Sequence, residues 1–148
     1  MSATQKKLVP AVEGWFEMND AEPHLIGTRC TSCATYFFPK ETTFCRNPGC
    51  ESAEFKEVPL SRSGTLWSFT SNAYAPPAPY VAPEPFVPYL VAAVELATEK
   101  IVVLGQIVPG VTIGELRAGM KMELALDTLY EDDDNRYVVW KWKPDAKA

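Results

Sequence analysis

All four cysteines of this 148-residue chain fall between Cys30 and Cys50, in the pattern C-x2-C-x11-C-x4-C. Two short Cys-to-Cys turns joined by a hairpin bring four thiolates to one tetrahedral centre, with zinc–sulfur distances of about 2.3 Å. Between the pairs lies TYFFP, where Tyr36, Phe37 and Phe38 suit a strand that Pro39 ends. The spacing predicts a rubredoxin-like zinc ribbon with Cys30, Cys33, Cys45 and Cys50 as ligands. Iron would use the same sulfurs, so ligand softness favours zinc without deciding against iron. The N-terminus, MSATQKKLVPAVEGWF, lacks the apolar run of a secretory signal, so a cytoplasmic, reducing setting is expected, in which thiols stay free rather than pair as disulfides.

Such a site is expected to be structural. Catalytic zinc keeps a coordination position open for water, whereas four thiolates close the sphere. The single histidine, His24, precedes Cys30 and could at most replace one sulfur; it reads as a solvated residue beginning a strand. The segment up to residue 60 is too small to hold a core alone, and a metal worth roughly 10 to 16 kcal/mol of apparent binding energy supplies what packing cannot.

The rest of the chain reads mainly as β-structure. Before the ribbon, PAVEGWFEMND has Val12, Trp15 and Phe16 at near-helical spacing with Pro10 in a first-turn position, which predicts an N-terminal helix presenting Trp15 and Phe16 to its own chain or to a partner. After residue 60 come five β-rich runs, SGTLWSFTSNA, YLVAAVEL, KIVVLGQI, KMELALDTLY and RYVVWKWK. The last two alternate in period two, with Met122, Leu124 and Leu126 on one and Val138, Trp140 and Trp142 on the other. TIGELRAG, between the third and fourth runs, suits one or two helical turns stopped by Gly119. That order is the order of a five-stranded Greek-key OB barrel. The expected division is residues 1–60 for the helix and ribbon and 61–148 for the barrel.

One connection is unusual. AYAPPAPYVAPEPFVPY, between the first two barrel strands, carries Pro76, Pro77, Pro79, Pro83, Pro85 and Pro88. Proline stiffens it toward polyproline II, while Tyr74, Tyr80 and Phe86 add aromatic surface. In OB folds this loop commonly contacts ligand, so these three residues are candidates to face substrate or partner. The acidic run EDDD suits a solvated hairpin turn.

Charge narrows the function classes. Fourteen basic and nineteen acidic residues give a net charge of −5, which does not draw the chain to phosphate backbones or anionic lipid. GELRAGMK approaches a phosphate-binding loop, but Met120 stands where lysine is required. With one histidine and every cysteine assigned to metal, no Ser-His-Asp or Cys-His set can be assembled, so no catalytic residues are assigned to this chain.

Taken together, HLIGTRCTSCATYFFPKETTFC, GTLWSFT, PYLVAAVEL and GMKMEL resemble the family of zinc-ribbon and OB-fold acyl-CoA-associated proteins, across nearly the whole chain. The resemblance implies a non-catalytic small subunit of a thiolase-type complex, hetero-oligomeric with a thiolase-like catalytic subunit, holding structural zinc and helping to shape a site whose substrate is a coenzyme A thioester. The same resemblance implies aldolases or hydratases as partners of related members. The family's ligands fall on Cys30, Cys33, Cys45 and Cys50; CRNPGC departs from its usual C-P-x-C knuckle by being longer. Two other readings stand beside this one: a single-stranded nucleic-acid module, for which RYVVWKWKPDAK is the notable basic-aromatic strip, and a zinc-stabilised scaffold without ligand contact.

Overall fold

The computed structural model describes residues 6–18, 23–74 and 86–145. Its strands are β1 (Lys7–Pro10), β2 (Phe16–Glu17), β3 (His24–Cys30), β4 (Tyr36–Phe37), β5 (Phe55–Pro59), β6 (Ser63–Asn72), β7 (Tyr89–Leu96), β8 (Ile101–Ile107), β9 (Lys121–Glu131) and β10 (Asn135–Pro144). No α-helix occurs among the described residues, and none of them forms a helix long and apolar enough to cross a membrane.

The last five strands close on themselves. β6 pairs antiparallel with β7, β7 with β8, β8 in parallel with β10, β10 antiparallel with β9, and β9 returns to β6 through Ser63–Thr65. Period-two patterning dictates what the barrel encloses: Leu66, Ala92, Val94, Leu96, Val103, Ile107, Met122, Leu124, Val138 and Trp142 are all buried. Gly105 lies on that inner face because a Cβ there would sit 2.9 Å from the Trp142 ring and 3.0 Å from that of Trp140. TIGELRAG tightens into a single 3-10 turn, Ile113–Glu115, with the Glu115 carboxylate accepting the Thr112 N–H and O–H. Gly119, at φ 94, ends that connection.

The ribbon is a second, smaller sheet built on β3. One edge of β3 pairs with β5; the other pairs with β2 at its start and β4 at its end. The linker into the barrel is pinned where the Ser61 N–H and O–H both donate to Glu99, buried in the β7–β8 turn.

The N-terminal helix is not there. Lys7–Pro10 is a strand running parallel to Asn135–Val138, so this part of the N-terminal segment extends the barrel's sheet. The following residues turn through Gly14, at φ 85, into β2. The helical spacing of Val12, Trp15 and Phe16 arises from a turn that delivers both aromatics to the ribbon–barrel junction.

Candidate metal centre and aromatic faces

The metal cluster is assembled by two turns. In the first, Cys30–Thr35 folds back at the end of β3, with Ala34 N–H donating to Cys30 O and Cys30 N–H to Thr35 O. Ala34 accordingly adopts φ 66, in the left-handed region. In the second, the Cys50 N–H donates to Asn47 O while the Asn47 side chain accepts the Gly49 N–H, so the longer CRNPGC knuckle still closes as a tight turn. All four Sγ atoms lie within 4.8 Å of one another. Cys30 and Cys50 are separated by 3.7 Å, Cys33 and Cys45 by 3.5 Å. A tetrahedron of four thiolates around zinc requires sulfur separations of about 3.8 Å. The donor set therefore fits zinc, and no described residue offers a fifth ligand to the cluster.

The surrounding turns are polarised for thiolates. The Thr35 hydroxyl, 3.1 Å from Cys33 Sγ, holds the Cys33 thiol down at about 5, with help from the Thr35 N–H. The Cys33 N–H holds Cys30 below its ordinary value. Burial pushes Cys45 up to about 12, a tendency that a divalent cation among the four sulfurs reverses. Bound there, zinc would be locked in a closed sphere and would supply folding energy rather than Lewis acidity. His24 starts β3 opposite Glu17, outside the sulfur cluster.

The aromatic candidates separate. Phe16 is only 5% exposed and belongs to the core, which removes it as a partner-facing residue. Trp15 is half-buried, stacked on Trp140 and edge-on to Phe38. Phe16 and Phe38 also meet Trp140, so four aromatic rings fasten the ribbon to the barrel. Tyr74 is 83% exposed. Phe86 packs edge-on against Tyr89, and Asn72 pairs with Tyr89, so Tyr74 and Phe86 mark the two feet of the proline-rich connection. Tyr80 lies outside the described residues.

The basic-aromatic strip is buried in part, while its Arg136 and Lys143 are exposed. Trp142 is fully buried, Trp140 sits in the aromatic junction, and Lys141 is buried in an ion pair with Asp127 at 3.0 Å. The EDDD run is a solvated hairpin turn, in which Asp132 accepts N–H groups from Asp134 and Asn135 and the Tyr137 hydroxyl.

One surface escaped the sequence reading. Trp67, 64% exposed, is the extra residue of a β-bulge between Leu66 and Ser68. The available signal was in GTLWSFT itself: Leu66 and Phe69 both pack toward the core although they stand three apart, which period two forbids without a bulge.

Comparison with known proteins agrees with this geometry. Residues 20–56 match a family model described as the ChsH2 rubredoxin-like zinc ribbon domain, and residues 57–127 match the ChsH2 C-terminal OB-fold domain. A DUF35 domain-containing scaffold protein of Methanocaldococcus jannaschii is 32% identical over 80% of this chain and 79% of its own length. The chain belongs to the ChsH2/DUF35 family. Within that family, benzoylsuccinyl-CoA thiolase subunit BbsA of Geobacter metallireducens is 32% identical over 82% of this chain and 75% of its own. BbsA of Thauera aromatica is 48% identical over a 50-residue stretch. Among solved structures, the Ltp2-ChsH2(DUF35) aldolase superposes with a TM-score of 0.58 at 29% identity, covering 82% of this chain and 84% of that one.

Proposed function

We propose that this chain is a non-catalytic accessory subunit of an acyl-CoA thiolase-type complex, in which a thiolase-fold partner carries the nucleophilic cysteine and this chain helps shape or close the acyl-CoA site. The observation that carries the reading is the likeness, over 82% of this chain and 75% of the relative's own length, to BbsA of Geobacter metallireducens, a relative named as a thiolase subunit. The chain's own chemistry is consistent with it. All four cysteines are gathered in one cluster, and the single histidine lies on another part of β3, so no cysteine is left to act as a nucleophile. Cys30, Cys33, Cys45 and Cys50 hold structural zinc, which orders the ribbon.

In this reading Tyr74 and Phe86, at the feet of the proline-rich connection, face the acyl group, where exclusion of water protects a thioester and stiff aromatic side chains limit the ordering cost. The test of that role is Tyr74→Ala with Phe86→Ala: a drop in the turnover of the assembled complex with zinc content and assembly unchanged supports it, and wild-type turnover removes it.

Two observations bear on the competing readings. Trp142 and Lys141 are buried and Trp140 is partly so, which leaves this strip little surface on which single-stranded nucleic acid could stack. Saturable, salt-sensitive binding of oligothymidine at micromolar protein would reverse that ranking. The scaffold reading is favoured by the Methanocaldococcus relative, whose name says scaffold. It differs from the accessory-subunit reading in predicting that the loop variant is silent.

A further inference from the structure

Antiparallel barrel strands that face water on the outside alternate apolar with polar residues. β7 and β8 do not. Their outward positions include Val91 and Ala93 on β7, Ala93 being covered by its neighbours, and Val102 and Leu104 on β8. Register places these side by side: Ala93 is paired with both Ser68 and Leu104, and Val91 with both Thr70 and Gln106. Leu104 is 63% exposed and Val102 41%. Into this lattice the β6 bulge inserts Trp67, which projects beside small Ser68 and Ala93. Two shallow depressions, of about 260 and 300 Å³, share Val91 and Leu104, and no charged side chain lines either.

We infer that this outer face of β6, β7 and β8, centred on Trp67 and Leu104, is where the catalytic partner subunit docks; the inference rests on the accessory-subunit reading. Three arguments select that occupant. The second depression is walled by Tyr89, on which Phe86 packs, so the face runs without interruption to Phe86, a residue proposed to face the acyl group. On the accessory-subunit reading, the chain that supplies the acyl-CoA site meets Tyr74 and Phe86, and so adjoins this face. A second copy is disfavoured because each carries a net charge of −5 and Glu95 stands in the same outward row as Val102. Nucleic acid is disfavoured because the depressions contain no cation. An exposed tryptophan flanked by small residues has the form of an interface anchor, a large ring that fills a partner pocket while its neighbours permit close approach.

The test uses the full zinc-loaded chain and the thiolase-fold subunit of the same organism, with the dissociation constant measured directly. If the wild-type chain does not bind that subunit, the accessory-subunit reading fails and this assignment with it. Given wild-type binding, Trp67→Glu with Leu104→Glu is expected to weaken it by about 30-fold or more, the loss of one anchor residue. Phe44→Ser, at an exposed ribbon position, is expected to leave it unchanged. Both positions in the double variant are exposed, and retained zinc and an unchanged unfolding midpoint verify its fold. A photo-cross-linking residue placed at position 67 of the otherwise wild-type chain gives a second readout, with the cross-link expected on the thiolase-fold chain. Unchanged binding by the double variant overturns the proposal, as does loss through Phe44→Ser instead. A wild-type homodimer that the double variant converts to monomer, with partner binding intact, assigns the face to a second copy and overturns it too.

Discussion

Trp15, in the turn before β2, stacks on Trp140 of β10 with ring centroids 5.9 Å apart and planes 22° from parallel. That contact joins the two parts of the chain, because Trp15 precedes the ribbon's central strand while Trp140 is in the barrel's last. Trp140→Ala should destabilise the fold by about 3 kcal/mol, the lower end for losing a large aromatic, since Trp140 is only partly buried. A double-mutant cycle with Trp15→Ala should return a coupling of about 0.5–1.5 kcal/mol in urea unfolding. Additive effects would mean that the rings touch without holding the parts together.

Metal content gives a second expectation. The sulfur geometry implies one zinc per chain, and Cys45→Ser should lose much of the roughly 10 to 16 kcal/mol that such sites contribute. Chelation should collapse hydrogen-exchange protection in β3 and β5 first, while β7 and β8, inside the closed barrel, persist. Freshly purified protein with well under one equivalent of metal contradicts this account.

Ala34 offers a gain rather than a loss. Its φ of 66 costs a residue with a Cβ about 1–2 kcal/mol, partly offset in glycine by greater backbone entropy. Ala34→Gly should therefore tighten zinc binding, by up to about 1 kcal/mol, in chelator competition. Equal or weaker binding would show that the turn is held by something other than this dihedral.

Acid should weaken the β9–β10 hairpin in a defined window. The Asn135 N–H and then the Tyr137 hydroxyl hold Asp132 below its ordinary value of 3.8, while that same carboxylate raises Tyr137. A depressed carboxylate contributes stability that is full above its unfolded pKa and is lost as pH falls through the folded one. Asp132→Asn should thus lower the urea midpoint at pH 7 and converge with wild type once the pH is below Asp132's folded value. A difference that is constant down to strong acid would contradict the assignment.

The parts of the molecule legible in its sequence are those set by local spacing. Cysteine turns carry their own geometry, and the alternation in KMELALDTLY and RYVVWKWK fixed which side chains of β9 and β10 enter the barrel. What escaped was decided by distant partners. Lys7–Pro10 becomes a strand only because β10 offers it an edge, and Trp15 and Phe16 take their places from the ribbon–barrel junction rather than from a helical period. Lys141, within the strip read as basic and aromatic, is buried because Asp127, across the hairpin, pairs with it. Trp67 depended on a one-residue shift in ladder register that a strand count does not register.

The central claim is that this chain completes a catalyst without being one. Its most direct test is thiolytic cleavage of a β-ketoacyl-CoA by free CoA, measured for the zinc-loaded chain alone, for its thiolase-fold partner alone, and for the two mixed. The account predicts no turnover from the chain, little from the partner, and an active hetero-oligomer from the mixture. A partner that is fully active by itself, and no faster when this chain is added, would contradict it.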